Sequence, residues 1–362
     1  MSAVRRVLYY AHQHGSGHVR HAGRLVAAGV ADVVVATAHP DAPDLLPPGA
    51  PVAALPSDVV PGHVQPARSP LHHTPVGPTI QDRFRALHEV ALGVRPDVCV
   101  VDVSVEAALF LRLAGFPVVH RRMHGDRTDP AHRLVYAESD ALVAHYGADL
   151  EDPAWLAEHG GRAVHLGVPD DAGRLGRRAA PTTNAATGSG TEPRGSRTVA
   201  VVAGTGGGGV AIADLDRAAA AVPDARWDVY GPVRGGRPSS PNLTLHGWAP
   251  DAGERAARAD VVVVSAGHNA AVDAARSGRP VVLAPEERPF DEQRCFARAV
   301  ERATGVPACA WDEPAERWAA AVDCALTEPA AADRLAAALL VPPERHAAGW
   351  ARALELAAAA RR

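Results

Sequence analysis

The chain has 362 residues, room for two domains with sizeable cores, and its 47% hydrophobic and 22% charged content is that of an ordinary globular protein. A formal net charge of −4 gives no electrostatic footing for a nucleic-acid partner, and the absence of any lysine excludes a Walker A phosphate loop. Cys99, Cys295, Cys309 and Cys324 are scattered with no CxxC spacing, which excludes a disulfide framework and a zinc knuckle. No N-terminal signal and no apolar run of membrane length is present, so no integral membrane segment is expected and the cytoplasm is the expected compartment.

Arg6–Ala11 reads as an opening strand, and Val19–Ala28 as a helix. Between them lies His12-Gln13-His14-Gly15-Ser16-Gly17-His18. Strand, glycine loop, helix is the start of a nucleotide-binding-like α/β unit, although Arg20 stands where a dinucleotide fingerprint needs its third glycine. His12, His14, His18 and His21 invite a metal reading. The loop offers no carboxylate or thiolate to complete one, and its glycines suit a phosphate or sugar better.

Asp32–Thr37 is a second strand, and the Pro-, Gly- and His-rich stretch 40–78 reads as loop with short strands. Ile80, Phe84, Leu87, Val90 and Ala91 share a helical face over 79–93. Val98–Val101 is a buried strand ending at Asp102-Val103-Ser104-Val105-Glu106, with a helix over 107–114. Polar groups just past the carboxyl end of a parallel strand sit where α/β folds bind ligands. Asp102 and Glu106 are therefore candidates for a general base or for the orienter of a histidine. Asp102 or Ser104 could equally cap the following helix. A strand over 116–119 precedes His120-Arg121-Arg122-Met123-His124.

The stretch 170–197 has no apolar periodicity and reads as a flexible linker. A fresh strand over 198–203 runs into Gly204-Thr205-Gly206-Gly207-Gly208-Gly209. This loop satisfies the dinucleotide glycine spacing, but the next strand, 226–230, carries its only acid, Asp228, inside it rather than at its end. Asp214 and Asp216 form a DxD, placed at the front of a helix where acids are common, so they are not read as a metal site. Asn242–Pro250 is a short strand and loop.

Val261–Val264 is an unbroken β-branched run, suited to a strand buried on both faces. Ser265-Ala266-Gly267 turns the chain into a helix over 269–277, with Gly278 as its natural end and Val281–Ala284 as the next strand. A turn opening into a helix presents unpaired amides to an anion. A helix over 294–304, a strand over 307–310, Ala-rich helices over 314–326 and 329–340, and a last helix over 344–361 complete the chain.

Residues 259–293 resemble the donor-binding segment of the GT-B nucleotide-sugar glycosyltransferases, most of all the lipid II-forming peptidoglycan UDP-GlcNAc transferase family and its family 28-like relatives. The resemblance spans nearly the whole chain and is stronger in its second half. It implies that Ser265, Ala266, Gly267, His268 and Asn269 meet the donor diphosphate, that Asp273 holds the ribose, and that Asp291, Glu292 and Gln293 hold the donor sugar. Asp273 is shorter than the family's usual Glu. It further implies diphosphate contacts at Gly204, Thr205 and Gly206, and a nucleobase site at Gly247, Trp248 and Ala249. Gly17 and His18 match the glycine-rich loop and terminal histidine that face the cleft in these enzymes. Arg121 stands where they carry an acceptor-contacting Glu, which implies a different acceptor.

The expected fold is α/β in the GT-B architecture: two Rossmann-like domains facing an interdomain cleft. Residues 1–169 would form the acceptor-side domain, 198–343 the donor domain, and 344–362 would pack back on the first. The expected activity is metal-independent transfer of GlcNAc or another hexose from a UDP-sugar co-substrate, with no cofactor, to a small-molecule, glycan or lipid-linked acceptor. His18 would serve as base with Asp102 or Glu106. A non-hydrolysing UDP-sugar 2-epimerase and a catalytically inactive sugar-nucleotide-binding subunit are the alternatives.

Overall fold

A computed structural model describes residues 6–58, 77–171, 197–204 and 209–359. The chain divides into two compact units. The first comprises 1–147, 151–169 and 341–362, and the second 148–150 and 170–340.

The first unit is built on seven parallel strands. They are β1 (Arg6–Tyr10), β2 (Asp32–Thr37), β3 (Val52–Ala54), β4 (Val98–Val101), β5 (Val118–Arg121), β6 (Ala141–Ala144) and β7 (Ala163–His165), in the order β3-β2-β1-β4-β5-β6-β7. Alternate residues of β1 enter two different cores. Val7 and Tyr9 pack with Val19, Leu25 and Trp350, while Leu8 and Tyr10 pack with Leu87, Val105 and Leu111. Burial on both faces is why these strands are continuous apolar runs without polar alternation. Trp350, Ala353, Leu354 and Ala357, from the helix Pro343–Ala359, belong to the first of those cores.

The second unit repeats the plan with β8 (Arg197–Val202), β9 (Ala225–Tyr230), β10 (Leu243–Gly247), β11 (Val261–Ser265) and β12 (Val281–Ala284). Their order is β10-β9-β8-β11-β12, all parallel. Trp227 and Trp318 lie fully buried in its core with Val199, Val201, Val261 and Val263.

Several boundaries differ from those the sequence suggests. The fifth strand runs over Val118–Arg121, because the Phe116 amide closes back on the Leu111 carbonyl and holds the chain in a turn. At 307–310 only one bridge forms, Leu283 with Ala308, flanked by hydrogen bonds to Pro307 and from Cys309. The stretch 40–58 includes a one-turn helix, Ala42–Leu45. The helices Pro130–Glu138 and Pro153–His159 add elements between β5 and β7. Most of the expected linker, 172–196, lies outside the described residues. No helix among the described residues is long and apolar enough to cross a membrane.

Candidate functional sites at the two sheet reversals

In both sheets the strand order reverses direction beside the first strand, between β1 and β4 in one unit and between β8 and β11 in the other. The loops leaving the carboxyl ends of two such strands diverge and leave a crevice, the usual ligand position in open α/β sheets. The histidine loop and Asp102 occupy this place in the first unit. Gly204 and the turn 265–269 occupy it in the second.

In the first unit His18 is the second residue of the helix Gly17–Ala28, and its Nδ1 lies 3.0 Å from Oδ1 of Asp102. Asp102 is 0% exposed, whereas the His18 side chain keeps 17% of its surface open. Two further groups hold the carboxylate. Arg121 Nη1 donates to the same Oδ1 at 2.9 Å, and the Tyr9 hydroxyl donates to Oδ2 at 3.0 Å. Burial alone would raise the Asp102 carboxyl. The Arg121 guanidinium and His18 outweigh it and hold the group well below the usual carboxylate range. The Tyr9 hydroxyl is raised well above its ordinary value, by burial first and the Asp102 charge second, so it remains a donor.

An ionised carboxylate only accepts, so Nδ1 of His18 carries a proton, and in the neutral ring the lone pair lies on Nε2. Oriented imidazole with a lone pair is a general base. His132 shows the contrast: its Nδ1 also bonds a carboxylate, Asp129 Oδ2 at 2.6 Å, but its Nε2 is already taken by Arg127 at 2.9 Å.

The backbone around Asp102 is fixed by its own turn and cap. Ser104, not Asp102, caps the helix Val105–Leu113, accepting from the Ala107 amide at 3.1 Å. Val103 between them has φ +60°, and the Ser104 amide bonds the Asp102 carbonyl at 2.9 Å. This is a γ-turn of the strained hand, rare for a β-branched residue. Glu106 lies in the first turn of that helix, where Ser104 Oγ donates to it at 3.4 Å; the histidine's partner is Asp102. The His12 ring lies 5.8 Å from His18 and 4.8 Å from His14. Burial, then the neighbouring His18 and His14, push His12 down to about 3. His21 stacks instead on His145, with centroids 3.9 Å apart. Among the described residues no group of three or more His, Cys, Asp or Glu forms a metal-ligating cluster.

In the second unit Gly267 caps the helix His268–Ser277 with ordinary extended backbone, φ −74° and ψ 138°. His268 and Asn269 are the first two residues of that helix, so both stand at the turn where the sequence places them. A Cβ added at Gly267 would stand 3.5 Å from Ser265 Oγ and 3.6 Å from Gln293 Nε2, and one at Gly204 4.0 Å from Ser265 Oγ. Ser265, Gly204, Gly267 and Gln293 are thus neighbours, and Ala266 beside them is buried. Gln293 is 3% exposed and accepts the Glu286 amide through Oε1 at 2.9 Å, so its packing ties two loops together. Phe290 and Asp291, with φ +60° and +51°, take consecutive left-handed conformations before the helix Glu292–Thr304. Asp291 is held by Arg298 Nη2 at 3.1 Å, and Glu292 opens the helix.

Asp273 lies in the helix with its side chain 72% exposed, 3.4 Å from Arg276 Nη1. Gly247 turns the chain at φ +67°, and Trp248 beside it is 75% exposed. Thr205 and Gly206 lie outside the described residues. Both acids of the DxD are engaged by protein: Asp214 by Arg217, and Asp216 by the Ser239 and Ser240 amides. Asp228 bonds His246 Nε2 at 2.8 Å.

Two residues of the first site carry no local signal in the sequence. Tyr9 is one apolar-looking strand residue among several. Arg121 reaches Asp102 because β4 and β5 are paired as Val101 with His120, which places each next residue beside the other. A polar residue at the end of each neighbouring strand is the pattern that could reveal such a pair.

No model of a known protein family matches the chain, and no curated protein does. Solved structures do. The glycotransferase of kitacinnamycin superposes with a TM-score of 0.62 at 19% identity, covering 99% of this chain and 98% of that one. The fold is GT-B. The spinosyn rhamnosyltransferase SpnG, complexed with thymidine diphosphate, gives 0.57 at 19% identity over 92% of this chain and 95% of its own. MurG of Acinetobacter baumannii gives 0.57 at 13% identity over 94% and 97%. Two Rossmann-like domains are the shared GT-B architecture, and at these identities the likeness speaks to fold, with function argued from the sites.

Proposed function

We propose that this GT-B chain is a glycosyltransferase that moves a sugar from a pyrimidine nucleoside-diphosphate donor to an acceptor hydroxyl or amine. The observation that carries the reading is His18, held through Nδ1 by a buried, ionised Asp102 at the sheet reversal of the first unit. Its Nε2 takes the acceptor proton as the acceptor atom bonds the anomeric carbon. The bond from that carbon to the diphosphate breaks, and the electron pair leaves on phosphate oxygen. Asp102 keeps its hydrogen bond from Nδ1 and so holds the ring in place through the step.

The second unit would bind the donor. The amides opening the helix His268–Ser277 carry partial positive charge, which favours a diphosphate there. Glycine at 204 and 267 has no steric cause among the described neighbours, whose distances are ordinary contacts, so room for a ligand is the better reason. These amides would offset the leaving group's charge without a metal ion. Trp248 offers an exposed ring beside the Gly247 turn for the nucleobase, and Asp273 an exposed carboxylate for the ribose. Asp291 and Glu292 would meet the sugar, with Gln293 fixing their loop.

The spinosyn enzyme holds thymidine diphosphate, while the resemblance to the peptidoglycan family favours uridine and GlcNAc. The same spinosyn enzyme is solved with its aglycone, which supports a small-molecule acceptor more than a lipid-linked one. A thermal-shift screen of UDP- and TDP-sugars, followed by assay of nucleoside-diphosphate release with candidate aglycones, tests the reading. Stabilisation by such sugars with acceptor-dependent release is expected. Donor epimerised without acceptor would assign an isomerase instead, and no binding would remove the reading.

A further inference from the structure

We propose that Arg121 is a positioning residue for His18: by pairing with Asp102 it cancels the carboxylate's charge, so the imidazole is oriented without being locked as an imidazolium. Arg121 Nη1 and His18 Nδ1 converge on one oxygen, Oδ1, at 2.9 and 3.0 Å, and Tyr9 takes the other. The Asp102 and Arg121 side chains are 0% and 5% exposed, so water does little to screen either.

Consider the site without Arg121. A full negative charge hydrogen-bonded to an imidazole away from water strongly favours the protonated ring. A base already protonated cannot take the acceptor's proton. The opposite arrangement, a neutral side chain at Asp102, would let Arg121 and the surrounding cations suppress proton uptake. The ion pair is the balanced case: net charge near zero beside the ring, with the hydrogen bond to Nδ1 preserved.

The other groups facing the dyad come from each packed element. Tyr9 comes from β1 and His12 from the loop after it; behind them, Arg24 of the helix Gly17–Ala28 acts on Tyr9, and His14 on His12. Arg83 of the helix Pro78–Val94 acts on His12, and His120 with Arg121 reaches Asp102 from β5. Burial, followed by His132, pushes His120 down to about 3, and His12 is similarly held near 3, so both are neutral at working pH. Arg121 is the cation hydrogen-bonded directly to the carboxylate.

The proposal rests on His18 being the base, yet its test does not need turnover. The ring signals of His18 are titrated by NMR in the full chain and in Arg121→Met, Arg121→Lys and the pair Asp102→Asn with Arg121→Met. Arg121→Met is expected to bind the His18 proton roughly tenfold or more tightly, and Arg121→Lys to stay within about threefold of the parent. The double variant removes equal and opposite charges, tolerable in a buried site, and is expected within about threefold too.

An unchanged titration in a folded Arg121→Met overturns the proposal and leaves Arg121 a structural residue. If that variant does not fold, the double variant decides: a roughly tenfold fall in proton affinity there means the Asp102 charge was acting uncancelled, which also overturns it. In the pH–rate profile, the acid limb of Arg121→Met is expected to move to higher pH. The titration pattern without any sugar transfer would keep the role of Arg121 and remove the transferase reading.

Discussion

Asp102 Oδ1 lies 3.0 Å from His18 Nδ1, joining the carboxyl end of β4 to the first turn of the helix that follows β1. The pair bridges the place where the sheet reverses. His18→Gln is therefore expected to lower turnover about 10²–10⁴-fold, the usual worth of a positioned base. If the second unit holds the nucleotide, as proposed, nucleotide affinity should change little. Calorimetric titration of the nucleoside diphosphate beside an initial-rate assay checks the split.

Gly267 gives the complementary prediction. Its backbone is ordinary and an added methyl meets protein only at 3.5 Å or beyond, so Gly267→Ala should leave the unfolding midpoint nearly unchanged. If donor phosphate occupies that room, affinity for the nucleotide falls roughly tenfold or more, an added cost of about 1.4 kcal/mol. Equal affinity in parent and variant places the phosphate elsewhere.

Val103 holds stored strain. With φ +60° it carries about 1–2 kcal/mol that glycine would release, against about 0.5–1 kcal/mol of added chain entropy. Val103→Gly is thus expected to be neutral or slightly stabilising in denaturant titration. Turnover should drop, by up to roughly a hundredfold, as Asp102 loses its fixed geometry. A large loss of stability would show that the turn is unstrained.

Gly231 has the reverse character. Its φ is +102°, and a Cβ would stand 2.3 Å from the Ala203 carbonyl oxygen, a backbone atom that cannot step aside. Gly231→Ala should destabilise the second unit by about 2–4 kcal/mol, combining backbone strain with overpacking. Because Ala203 precedes Gly204, weaker donor binding is expected alongside the lowered melting temperature.

The pH dependence follows from a buried histidine. His346 is 1% exposed, and burial with the nearby Arg24 charge pushes it down to about 4. Its unfolded value is about 6.5. Between those values the unfolded chain binds more protons, so stability rises with pH there and is lost as pH falls from about 6.5 towards about 4. His346→Leu should flatten that slope by up to about 1.4 kcal/mol per pH unit. Hydrogen exchange of the helix Pro343–Ala359 at a series of pH values measures it.

Much of the architecture can be read from residues alone. Val261–Val264 and Val98–Val101 are runs that only a doubly covered strand explains, and Gly278 ends its helix in the left-handed conformation, φ 68°, that glycine tolerates. Asp102 is legible as a site residue because strand ends in α/β sheets collect ligands. Two of its partners are not: Tyr9 and Arg121 are brought to it by sheet order and register, which local pattern does not encode. The helices at Pro130 and Pro153 carry a usable signal, Asp-Pro, in which the aspartate caps and the proline starts the first turn. A three-residue strand such as Ala163–His165 has none.

The helix Pro343–Ala359 gives the chain's ordering a practical consequence. Trp350, Ala353, Leu354 and Ala357 complete a core begun by Val7 and Tyr9, so two stretches far apart along the chain close one interior. A gene cut after codon 169 would express a half-protein with one wall of its interior missing. Grafting the closing segment directly behind that cut, in the manner of a rewired permutant, is the way to obtain the histidine-bearing half alone.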